Sequence, residues 1–192
     1  MFIQTEDTPN PETMIFRPGR PVLGQGAMDF PNAETAVGRS VLVENLFGVE
    51  GVKAVFLGDH FLSITKGSDC DWTILKAEIL GVLLEHFATD APILSDSGSS
   101  DSGADLNEAE GHFDEADRDT VDSIKELLET RVRPAVARDG GDIVFHGFER
   151  GVVYLSMRGA CAGCPSSTYT LKMGIENMLR HYVPEVTEVR QA

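Results

Sequence analysis

Residues 95–119 read SDSGSSDSGADLNEAEGHFDEADRD, and this stretch limits what the rest of the chain can become. It holds nine acidic residues against one arginine, about half of the formal charge of -15 carried by all 192 residues. Leu106 and Phe113 are its only large apolar side chains. Such a segment cannot bury enough surface to offset its ordering entropy, and its like charges push it apart. It reads as a flexible linker with a root-mean-square reach of roughly 25–30 Å. A single core running through it is excluded. Two small domains are expected, over 1–94 and 120–192, each closing around a core of its own. The hydrophobic fraction of 42% supplies material for both.

Both halves mix strand and helix signals, so the expected fold class is α+β. In the first half, residues 2–5 and 14–16 read as short strands around the turn Thr8-Pro9-Asn10-Pro11. Residues 35–47 read as a helix, with Val37, Val41, Leu42 and Leu46 on its apolar stripe. Residues 52–57 and 61–65 form a hairpin around Gly58-Asp59-His60. Ser68 or Asp71 caps a second helix over 72–87, with Leu75, Ile79, Val82 and Leu83 on one face. The second half reads helix, strand, strand, helix, strand. Its first helix carries Val121, Ile124, Leu127, Leu128 and Val132, and Pro134 kinks or ends it. Asp139-Gly140-Gly141-Asp142 is a turn, and residues 143–148 and 152–157 pair around Glu149-Arg150-Gly151. A helix over 166–182 follows, with Leu171, Ile175, Met178, Leu179 and Tyr182 inward, and then a last strand over 186–189.

The acidic excess excludes several function classes. Phosphate binding needs clustered Lys and Arg, so no nucleic-acid partner is expected. An anionic membrane surface is disfavoured for the same reason, and no apolar run approaches the ~20 residues that span a bilayer. The first eleven residues look like neither a signal peptide nor an Arg-rich transit peptide, which points to the cytosol unless a presequence has been removed. No Ser-His-Asp set, phosphate loop or carboxylate pair stands out, and an enzyme is not expected.

Chemistry concentrates between the second strand and second helix of the latter half, in Gly159-Ala160-Cys161-Ala162-Gly163-Cys164-Pro165-Ser166-Ser167. Two thiols separated by two residues reach one metal centre, and the small neighbours let backbone approach something bulky. Pro165 suits a first helical turn, which places both sulfurs near a helix N-terminus that favours thiolates. The loop supplies two ligands, whereas zinc and iron–sulfur sites take four. Two loops meeting in a two-fold dimer supply the full set. A CxxC before a helix also fits a thiol–disulfide oxidoreductase, or half of a structural zinc site. Cys70 lies far away in sequence and reads as a bystander, and His146 and His181 read as surface or packing residues.

These segments resemble a known family. Residues 124–128, Arg133-Pro134-Ala135-Val136, Asp139-Gly140-Gly141-Asp142-Ile143 and the cysteine loop together resemble the NifU C-terminal, or NFU, domain. Residues 2–11, Met28-Asp29-Phe30-Pro31 and Gly51-Val52-Lys53-Ala54-Val55-Phe56 resemble the N-terminal domain of mitochondrial and alphaproteobacterial NFU proteins. The resemblance implies an iron–sulfur assembly factor. Such a factor holds a [4Fe-4S] cluster between two copies through Cys161 and Cys164, takes it from upstream assembly machinery and passes it to client apoproteins. It also implies that the first domain contacts clients or partners. With the domain motif at the start of the chain, it looks like a bacterial cytoplasmic member, with the mitochondrial matrix as the alternative.

Overall fold

The computed structural model describes residues 2–95, 112–162 and 165–192. It divides into two compact units, Met1–Asn107 and Glu108–Ala192, both of α+β class.

The first unit is a five-stranded antiparallel sheet with two helices. Its strands are β1 (Gln4–Asp7), β2 (Thr13–Arg17), β3 (Met28–Phe30), β4 (Val52–Leu57) and β5 (Leu62–Lys66), ordered β1-β2-β5-β4-β3. The turn between β4 and β5 closes with Gly58 N–H donating to the Phe61 carbonyl at 2.9 Å. Helices α1 (Val41–Phe47) and α2 (Trp72–Ala88) bury Leu42, Val43, Leu46, Leu75, Ile79 and Leu83 against Phe16, Val55, Leu57, Leu62 and Ile64. Asp71 caps α2, its carboxylate accepting from Thr73 N–H at 2.7 Å.

The helix expected over 35–47 is broken. Ala33–Ala36 makes a short 3-10 turn capped by Asn32. The chain then passes Gly38 at φ +71°, a left-handed conformation that ends helical winding. It restarts only where the Ser40 hydroxyl accepts from Val43 N–H. Val37 is therefore 71% exposed and Val41 is exposed too, and neither belongs to the core stripe. Strand β3 carries no sequence signal of its own. It is three residues long and is defined by pairing, with Met28 opposite Leu57 and Phe30 opposite Val55.

His86, near the end of α2, is buried against the edge of Phe87, and its Nε2 has no hydrogen-bond partner. Burial pushes its pKa below the ordinary value, and the Arg20 charge adds to this against a backbone hydrogen bond at Ala91. The folded state thus binds fewer protons here than the unfolded chain. The stabilisation is complete above the unfolded value of about 6.5 and is lost as pH falls toward the lower folded value. Urea midpoints of the first unit are expected to drop between pH 7.5 and pH 5.5. His86→Leu should flatten that part of the profile, and an unchanged profile in the variant would rule His86 out as its origin.

In the second unit, α3 (Arg118–Leu127) winds through a π-type turn, Leu128–Val132, into α4 (Arg133–Arg138). Pro134 sits in the first turn of α4 and so does not end the helical path, which runs on to Arg138. The π-type turn lies directly before it, with Arg133 N–H donating to the Leu128 carbonyl five residues back. Strands β6 (Gly141–Glu149) and β7 (Val152–Gly159) pair antiparallel through a two-residue turn, with Arg150 at φ 50° and Gly151 at φ 83°. Positive φ at both positions matches the twist of a hairpin. Helix α5 (Pro165–Tyr182) crosses over to β8 (Glu188–Gln191), which lies parallel to β7. Val121, Ile124, Val136, Ile175 and Leu179 pack on Ile143, Phe145, Val153, Leu155 and Val189.

Tyr182 was expected inward but is 49% exposed, its ring under the Arg131 guanidinium at 4.7 Å and its hydroxyl accepting from it at 3.1 Å. Residues 112–119, at the end of the acidic stretch, are built into this unit. His112 N–H donates to the His146 carbonyl, its own carbonyl accepts from Phe148 N–H, and Phe113 packs on the core. Of the expected linker, residues 96–111 lie outside the described residues.

Candidate metal centre

The β6–β7 hairpin brings the two ends of its strands together. Gly141 lies opposite Gly159 and Asp142 opposite Arg158, so the Asp139–Asp142 turn sits beside the cysteine loop. Ala160 N–H donates to the Gly140 carbonyl at 3.1 Å, and Ala162 N–H to the Gly159 carbonyl at 3.0 Å. Gly159, at φ 65°, lets the chain leave β7 in a tight turn. The hydroxyl of Thr168, in the first turns of α5, donates to the Cys161 carbonyl at 3.1 Å. Strand end, loop and helix are thus tied at one point.

Cys161 is only 6% exposed and belongs to the core of the second unit. Its sulfur lies over Gly141. A Cβ at Gly141 would stand 2.8 Å from Cys161 Sγ and 2.6 Å from the Arg158 carbonyl oxygen, so only glycine fits there. Next in the strand, the buried Asp142 accepts two bonds from Arg133, Nε to Oδ1 at 3.1 Å and Nη2 to Oδ2 at 3.2 Å. Arg133 also donates to Glu129 at 2.6 Å. Burial pushes the Asp142 carboxyl above its ordinary value, and Arg133 beside it opposes that shift.

The expectation of a lowered thiol pKa fails at Cys161. Burial, with Asp139 and then Asp142 adding negative potential, pushes the thiol up to about 11. The side chain turns into the core of the second unit, beside the acidic turn. Cys164, the other expected ligand, lies outside the described residues together with Gly163.

Cys70 belongs to the other unit, partly exposed in the loop before α2 and surrounded by Gly51 and Gly67. His146 is exposed, its Nε2 2.7 Å from Ser156 Oγ, and exposed His181 stacks edge-on with Tyr182. The sequence reading missed two supports of the loop. Gly141 appears there only as a turn residue, whereas its missing side chain is the space that Cys161 fills. Arg133 and Asp142 are nine residues apart, and no local pattern announces their pairing.

Comparisons with known proteins cover both units. Residues 124–190 match the NifU-like domain, and residues 3–90 match the scaffold protein Nfu/NifU N-terminal domain. The Drosophila sechellia protein named NFU1 iron-sulfur cluster scaffold homolog, mitochondrial, is 50% identical over this whole chain. The chain spans 65% of that relative's length. The Homo sapiens protein of the same name is 46% identical over the whole chain, which spans 72% of it. A solution structure of a NifU-like protein from Saccharomyces cerevisiae aligns with 50% of this chain and 86% of its own, at 26% identity and a TM-score of 0.46. The two domain matches in order, together with a full-length match at this identity, place the chain in the Nfu/NifU family, with an Nfu/NifU N-terminal domain followed by a NifU-like domain.

Proposed function

We propose that this chain is an iron–sulfur cluster scaffold and carrier rather than an enzyme. Cys161 and Cys164 hold one [4Fe-4S] cluster jointly with the same pair on a second copy. The cluster arrives from upstream assembly machinery and leaves to client apoproteins. One observation supports this most: full-chain relatives are named iron-sulfur cluster scaffold homologs, and the NifU-like domain match contains the CxxC loop. Two thiolates per chain leave a cluster at an interface, where it is easier to release than one enclosed by a single chain. Of the two expected locations, the names of the relatives support the mitochondrial one, and the bacterial cytoplasm finds no support among them.

The competing reading, a thiol–disulfide oxidoreductase, needs a thiolate at neutral pH. Burial and the acidic turn push the Cys161 thiol up to about 11, which disfavours Cys161 as the attacking thiolate. A metal instead displaces the proton as it binds, so cluster loading should weaken as pH falls.

Loading and dimerisation are coupled in this proposal, because one chain cannot complete the coordination sphere. Anaerobic sedimentation should find reconstituted protein dimeric, with dimer content tracking iron content. A loaded monomer at micromolar concentration, free of glutathione or other added thiol, would sink the shared site.

A further inference from the structure

We infer that the outer face of α2 is a docking surface for a helix of another protein, one that carries an apolar stripe flanked by Lys or Arg. The inference stands independently of the cluster proposal, since it concerns only the first unit.

Helix α2 is apolar on both sides. Its inner face supplies Leu75, Ile79, Leu83 and Phe87 to the core. Ile74, Ala77, Gly81, Leu84 and Ala88 are all exposed, Ile74 at 69%. At 3.6 residues per turn these five fall within an arc of about 80° on the opposite side. A helix covering one face of a sheet ordinarily turns a polar face to water. Here that face is a row of small residues bordered by Ile74 and Leu84.

Gly81 is the informative position. It lies in the middle of a 17-residue helix, where glycine is less stable than alanine. A Cβ there would meet nothing within 4 Å among the described residues. Packing among the described residues therefore gives no reason for the missing side chain, whereas close approach by a second backbone does. A helix crossing at Gly81 would be gripped by Ile74 on one side of the crossing and Leu84 on the other.

Charge selects the occupant. Glu78 and Glu85 are exposed along one border of the stripe, and neither forms an ion pair among the described residues. No Lys or Arg lies in the arc. A second copy would bring the same carboxylates against these, in a chain of net charge -15, so self-association through this face is disfavoured. A helix with basic flanks satisfies both carboxylates.

The test uses the full chain and two labelled 18-residue helical peptides. One has a leucine stripe with lysine flanks, and its twin has the same stripe with glutamate flanks. The lysine peptide is expected to bind saturably at one site by fluorescence anisotropy, with amide shift changes confined to α2. The glutamate twin should not bind. Gly81→Gln should weaken binding at least tenfold while raising the melting temperature, because glutamine favours helix and a Cβ here meets nothing within 4 Å among the described residues. Ile74→Glu should weaken binding without changing the fold. Equal binding to wild type and Gly81→Gln, shift changes outside α2, or equal binding of the twin would each overturn the proposal. So would self-association of the wild-type chain that Gly81→Gln abolishes, since the occupant would then be a second copy.

Discussion

Replacing Cys161 or Cys164 with serine is expected to reduce the iron content of anaerobically reconstituted protein from about two irons per chain to background. In the proposed shared site each substitution removes two thiolates, and alcohol oxygens do not replace them. Cys70→Ser should leave iron content unchanged, because Cys70 belongs to the first unit and lies outside the residues that match the NifU-like domain. Cys161→Ser carries a second effect. Its sulfur is buried over Gly141 among apolar side chains, so a hydroxyl there costs about 1–3 kcal/mol of stability if it finds no partner. Circular dichroism on each variant separates loss of ligand from loss of fold. A folded Cys161→Ser protein that still loads iron would remove Cys161 from the ligand set. The same preparations assayed for insulin reduction test the oxidoreductase reading, which expects activity without iron.

The two-unit α+β architecture was legible because strong signals were local. The hairpin turn at Arg150-Gly151, the cap at Asp71 and the crossover helix α5 all follow from residues close in sequence. What escaped was set by distant partners or by backbone detail. Strand β3 is defined by β4, twenty-odd residues later. The break at Gly38 hides inside an apolar periodicity that α1 uses only from Leu42 onward. Tyr182 fits an inward stripe by spacing, but Arg131 offers its ring and hydroxyl a better surface partner. At the candidate site, spacing alone revealed the CxxC. It could not reveal that Cys161 faces into the core, because that depends on Gly141 across the hairpin. The same fold detail reversed the expected direction of the thiol's pKa.

Arg133→Met should destabilise the second unit by about 3 kcal/mol near neutral pH. It leaves the Asp142 carboxylate buried without its partner, and the cost falls at the low end for such losses because the guanidinium is itself partly exposed. The pH dependence identifies the cause. Burial already holds the Asp142 carboxyl above its ordinary value, and removing the opposing Arg133 raises it further. A group whose folded pKa is raised contributes stability below its unfolded value of about 3.9 and loses it as pH rises through the folded value. The deficit relative to wild type should therefore be small near pH 4 and grow toward pH 7.5, read as a shift in urea midpoint at constant slope. A pure packing loss would be the same at both. The double variant Arg133→Met with Asp142→Leu removes the stranded charge and should recover most of the loss and its pH dependence. Asp142 also adds to the negative potential on Cys161, so stranding its charge should raise the thiol further and slow its alkylation at pH 8. A single variant with a pH-independent deficit, or a double variant as unstable as the single, would show that Arg133 acts through Glu129 or through packing rather than by holding Asp142.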